Sequence, residues 1–96
     1  NNISQIYDAR GEYNTALKCL DQSLAIRRET GNRAGEAVTS WNTGMIYKKQ
    51  GELTKADQYI SRAVQLAEEI GYPLLEEWRK KLEELRAALK ERNSKN

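Results

Sequence analysis

Residues 6–16 read IYDARGEYNTA, and residues 46–56 read IYKKQGELTKA. The two phrases share Ile, Tyr, Gly, Glu and Ala in register, forty residues apart. The register extends well beyond them. Asn2 falls on Asn42, Ile6 on Ile46, Tyr7 on Tyr47, Gly11 on Gly51, Ala16 on Ala56 and Gly31 on Gly71. Other pairs keep bulk or character: Leu20 with Ile60, Ser23 with Ala63, Leu24 with Val64 and Ile26 with Leu66. The matches concentrate at apolar and glycine positions, where packing and backbone geometry constrain the choice of residue. Self-similarity with a period of roughly 20–50 residues marks a stack of supersecondary units. Each unit is too small to bury its apolar face alone, so neighbours share one continuous core.

Each unit reads as two helices, which makes the fold class all-α. In the second unit, helix A runs from about Arg33 to Gln50, with a helical stripe of Ala37, Val38, Trp41, Met45, Ile46 and Tyr47. Gly51 stops it, because glycine takes the left-handed geometry that ends a helix. Helix B follows from about Leu53 to Ile70, with Ala56, Ile60, Ala63, Val64 and Ala67 at three- and four-residue steps. Gly71 and Pro73 form a stop-and-restart signal. The first unit repeats this with helix B over about Tyr13 to Thr30, but its helix A is cut short. Ala16, Ser23, Gly44, Ala56 and Ala63 are expected where helices A and B approach closely, with Tyr7 and Tyr47 filling the space between.

This pattern resembles the tetratricopeptide repeat. In the second unit Gly44, Tyr47, Gly51, Ala56, Ile60 and Ala63 match the family's small, aromatic, glycine, alanine, bulky apolar and alanine positions. In the first unit Ser4, Tyr7, Gly11, Tyr13, Ala16, Leu20 and Ser23 do likewise. The commonest form repeats every ~34 residues; the forty-residue period is similar to the family's long-helix variant. The resemblance implies antiparallel helix-turn-helix units in a right-handed α-solenoid, with about five helices including a C-terminal cap. The units are residues 1–31 and 32–72, followed by a capping helix at 73–92 and a polar tail at 93–96.

The last helix, PLLEEWRKKLEELRAALKER, carries Leu75, Trp78, Leu82, Leu85 and Leu89 on one side. Covering the final repeat is the plain use of that side; a dimerising coiled coil is the alternative. The abbreviated first helix makes the chain read as the C-terminal part of a longer array. Its N-terminal edge (Ile3, Ile6 and the faces of Leu20 and Leu24) and the helix Leu75–Leu89 are the two candidate surfaces for a homo-oligomer.

Composition excludes several function classes. There is no histidine, so the commonest general base is missing, and the carboxylates lie among Lys and Arg on solvated helix faces. No enzyme activity and no cofactor are expected. The single cysteine, Cys19, builds neither a disulfide nor a metal site, and is expected to face a neighbouring helix as a small apolar residue. A net charge of +2 gives no basic groove, and residues 52–72 carry four acids against two bases, so nucleic acid is not the expected partner. No membrane association is expected, and a cytoplasmic location fits the absence of a signal-like start.

The expected partner is another protein or peptide. The resemblance implies a concave groove lined by the A helices, with Asn2 and Gln5 in the first unit (beside Asn1 and Asp8). In the second unit it implies Val38, Trp41, Asn42, Met45, Lys48 and Lys49. An asparagine amide both donates to and accepts from a peptide backbone, so it holds an extended chain without reading its sequence. Trp41 and Met45 offer apolar contact. Each has a bland use as well: Asn42 in hydrogen bonds within the array, Trp41 in the core, and the two lysines at a helix C-terminus. The family's clamp for a peptide C-terminal carboxylate is not reproduced, because Trp78, Leu82 and Asn1 stand where basic residues are wanted. The alternative function is architectural, a capping or self-associating segment with no groove of its own.

Overall fold

The computed structural model describes residues 9–94, and side chains from 12 to 92. Four helices account for all the regular structure among the described residues: α1 (Ala9–Glu29), α2 (Arg33–Lys49), α3 (Leu53–Ile70) and α4 (Leu75–Ser94). The expected fifth helix, the shortened first one, falls largely outside the described residues.

Three glycines set the corners. Gly31, Gly51 and Gly71 take φ of 72°, 82° and 67°, a left-handed conformation that costs an L side chain about 1–2 kcal/mol. In each case the next residue's amide reaches back to close the helix end. Asn32 N donates to Arg27 O at 2.8 Å, Glu52 N to Tyr47 O at 2.9 Å and Tyr72 N to Ala67 O at 2.9 Å. This Schellman closure satisfies carbonyls that the helix leaves free. The start of α2 is capped by Asn32, whose side chain accepts from Gly35 N at 2.9 Å.

Packing follows the small residues. α3 lies between α2 and α4 and buries Ala56, Ile60, Ala63, Val64, Leu66 and Ala67. α2 meets it with Ala37, Ser40 and Gly44. A Cβ on Gly44 would come within 2.5 Å of Ile60 Cγ1 and 3.2 Å of the Ala56 carbonyl oxygen, so glycine sets the separation of the two helices. Tyr47 stacks on Tyr59 of α3 at 5.5 Å between ring centroids. α1 packs on α2 and buries Leu24. α4 buries Trp78, Leu82 and Leu85 in the same core as α3, with Leu75 and Leu89 packed against it. A polar seam flanks this contact. Arg86 donates to Asp57 and Ser61, Arg79 to Glu68, and Arg92 to the Gly51 carbonyl. These groups are exposed, so each ion pair contributes about 0–1 kcal/mol.

Several expectations change. α1 begins at Ala9 and carries Gly11 within it, instead of starting near Tyr13 after a corner. Glycine inside a helix costs only about 1 kcal/mol, which a helix of 21 residues absorbs. α4 runs on to Ser94, into the expected tail. Leu24 is buried and not part of an open edge, because α2 covers its side of α1. Ile26 on α1 is the large apolar residue left 61% exposed. The side of α4 carrying Trp78, Leu82 and Leu85 is occupied within the chain. Cys19 is exposed, and is not buried as a small apolar residue. Glu76 pairs with Arg79 one turn on, at 2.9 Å.

Candidate functional site

α2 has two unlike sides. One is sealed: Glu36, Ala37, Thr39, Ser40, Thr43 and Gly44 are all buried. The other carries the residues singled out from the sequence. Val38, Trp41 and Met45 are half-buried and pack against the core. Asn42 is exposed between them, Lys48 is half-buried and Lys49 exposed at the end of the helix. One helix face thus brings together an apolar strip, an exposed amide and two cations. Asn2 and Gln5, with Asn1 and Asp8, lie outside the described residues.

Trp41 is held by α4. Its indole lies flat on that of Trp78, with centroids 4.6 Å apart and planes 3° from parallel. Tyr72, from the α3–α4 corner, tilts onto Trp78 at 4.9 Å. Trp78 is 5% exposed, so this stack is anchored in the core and leaves Trp41 half-covered. Aromatic pairs of this kind contribute about 0.5–1.5 kcal/mol beyond their buried area. The indole therefore has a structural partner as well as an open side.

Two features escape a reading of the sequence. The first is Glu36, a buried carboxylate that accepts from Arg28 of α1 at 3.2 Å and from Arg62 of α3 at 3.4 Å. It ties three helices together where α2 begins. Within α2 alone, Glu36 looks like an ordinary first-turn acid favoured by the helix dipole; only the docked neighbours make it a hub. The second is a cavity of about 590 Å³ between the first half of α1 and the α2–α3 corner. Tyr13 and Leu17 face Tyr47, Lys49, Glu52 and Lys55 across it. Lys55 Nζ sits 5.5 Å from the centre of the Tyr47 ring, in cation–π range. Burial, with Tyr47 adding to it, raises the ionisation of Tyr59 behind that ring above its usual 10.0. Lys49 is the one residue shared by this cavity and the candidate face. The walls of the cavity come from segments thirty or more residues apart, and no local motif announces them.

Among the described residues no group of three or more His, Cys, Asp or Glu could hold a metal ion. No helix there is long and apolar enough to cross a membrane. A comparison with protein families matches residues 1–69 to the tetratricopeptide repeat. Neither curated proteins nor solved structures give a match. The family match spans well over half the chain, takes in the first unit and nearly all of the second, and agrees with an all-α fold of paired helices. The chain belongs to the tetratricopeptide repeat family.

Proposed function

We propose that this chain is a protein-interaction scaffold that holds an extended peptide, or a helix, of a partner along the outward side of α2. Tetratricopeptide repeats are typically non-enzymatic scaffolds for protein–protein contacts. The observation that carries the finer reading is the split in α2. Its inner side is closed on its neighbours, while Val38, Trp41 and Met45 keep part of their surface and Asn42 stays exposed among them. Half-covered apolar groups around an amide suit an extended backbone: the amide satisfies peptide N–H and C=O groups, and the apolar strip takes side chains. Lys48 and Lys49 at the same end favour an acidic residue in the partner.

The test is retention of partners from a native lysate by the wild type and by an Asn42→Ala/Lys49→Ala double variant. Both residues are exposed, so the variant keeps its fold, which far-UV circular dichroism verifies. A protein held by the wild type and lost by the variant supports the reading. An identical captured set counts against it and favours the architectural alternative. That second reading has its own support, because the Trp41–Trp78 stack ties α2 to the terminal helix and uses one face of the indole internally.

A further inference from the structure

Arg27 sits in an unusual position for an arginine. Every other arginine with a described side chain donates to an acceptor. Arg28 and Arg62 reach Glu36, Arg33 reaches Glu69, Arg79 reaches Glu68 and Glu76, Arg86 reaches Asp57, and Arg92 reaches a backbone carbonyl. Arg27 does not. Its Nε is buried and has no hydrogen-bond partner, and no carboxylate among the described residues pairs with its guanidinium. Glu29, two residues on, points to another side of α1. A buried donor without an acceptor is costly, so such a group calls for a specific explanation.

The surroundings sharpen the case. The guanidinium lies over Gly35, in the first turn of α2; a Cβ there would collide with Arg27 Nη1 and stand 2.7 Å from its Cδ. The missing side chain makes the seat. That seat is at the positive end of the α2 dipole, the wrong end for a cation. The cap residue Asn32 accepts from Gly35 N through its Oδ1, and its Nδ2 lies beside Arg27 Nη1 over Gly35, 2.6 Å from where a Cβ would stand. A cavity of about 300 Å³ opens here, lined by Ser23, Ile26, Arg27, Thr30 and Asn32. The Thr30 hydroxyl is engaged with the Ile26 carbonyl at 3.0 Å. The lining therefore offers a guanidinium, an amide N–H and the Ser23 hydroxyl, with no acid.

We propose that this cavity is an oxyanion site, taking a single carboxylate or phosphate group with Arg27 as its principal ligand. An anion there pairs with the Arg27 guanidinium, neutralises the cation and is favoured by the α2 N-terminus, so one ligand offsets both electrostatic costs. The site is distinct from the outward side of α2 that carries Asn42.

The test is an NMR titration of the whole chain with sodium sulfate, and separately with sodium acetate, at constant ionic strength made up with chloride. The reporters are the Arg27 Nε–H and the Gly35 backbone amide. A saturable shift of both, with a midpoint near ~1 mM, is expected. Saturation by sulfate alone assigns a tetrahedral oxyanion, and by acetate alone a carboxylate; either supports the site. Arg27→Gln is expected to abolish saturation, and Arg27→Lys to weaken it at least tenfold, because lysine lacks the planar fork. Linear shifts with both anions in the wild type overturn the proposal, as does an unchanged midpoint in Arg27→Gln. The wild-type titration decides the matter even where a variant folds poorly.

Discussion

Replacing Gly44 by alanine sets two known effects against each other. In an exposed helix interior, Gly→Ala gains about 1 kcal/mol, because alanine has less backbone entropy to lose. Here the new Cβ would lie 2.5 Å from Ile60 Cγ1 and 3.2 Å from both the Ala56 carbonyl oxygen and the Ile60 amide nitrogen. Two of those three neighbours are backbone of α3, and Ile60 is 1% exposed, so none of them yields easily. Overpacking of this kind costs roughly 1–3 kcal/mol. With both backbone contacts tight, the upper half of that range applies, which leaves a net loss of about 1–2 kcal/mol. For a domain of this size that lowers Tm by about 4–15 °C. The assay is thermal and urea unfolding followed by far-UV circular dichroism.

A double-mutant cycle isolates the cause. Ile60→Ala alone should cost about 2–5 kcal/mol through the cavity it leaves. Combined with Gly44→Ala it should cost at least ~1 kcal/mol less than the sum, because the new methyl fills vacated space. Gly51→Ala is the contrast: nothing lies within 4 Å of its would-be Cβ, and its φ of 82° strains any side chain. It should lose about 1–2 kcal/mol with no coupling to Ile60. A rise in Tm for Gly44→Ala, or strict additivity with Ile60→Ala, would refute the claim that Gly44 sets the spacing of α2 and α3.

Three further outcomes follow from the structure. Ser40 is fully buried and its hydroxyl has no partner, so Ser40→Ala should raise stability by about 1 kcal/mol; a melt that is unchanged or lower contradicts this. Glu36→Ala strands two arginines at once, and should cost about 1–2 kcal/mol in urea, against about 0–1 kcal/mol for Arg28→Ala, whose side chain is 55% exposed; equal losses would remove Glu36 from its place as the hub. Burial raises the Tyr59 ionisation above 10.0 in the folded chain, so its phenol favours folding below that pH, and the advantage fades as pH rises through the native value. Between about pH 9 and about pH 11 the wild type should therefore lose more urea stability than Tyr59→Phe, and equal losses would count against it.

The legible parts of the fold were those encoded locally. Gly31, Gly51 and Gly71 mark three corners in the sequence, and all three adopt the left-handed stop. α3 is readable throughout, from Leu53 to Ile70, because its alanines and branched residues recur at helical steps. Gly11 sits in the same register as Gly51 yet lies inside α1. A glycine permits a corner without compelling one, and flanking residues that favour helix outweigh its modest cost. Of the candidate site, the positions on α2 came from the family resemblance; in the structure Val38, Trp41 and Met45 are partly buried and Asn42 is exposed. What each side chain touches was not legible. Trp41 against Trp78 joins residues thirty-seven positions apart, and nothing near either of them predicts the pairing.

The sequence by itself determined the kind of molecule. Two in-register copies, punctuated by glycine and patterned at 3.6-residue spacing, admit helix pairs in a stack and little else. It also determined the absence of histidine chemistry, since composition needs no coordinates. Tertiary structure decided which charges are neutralised and which are not. Glu36 is a hub only because α1 and α3 each bring an arginine to it, and Arg27 is left over because no acid among the described residues pairs with it. The physical reason is range. Backbone conformation responds to neighbours within a few residues, whereas burial, pairing and cavities depend on how separate helices dock, and that is set by side-chain volumes summed across the whole interface.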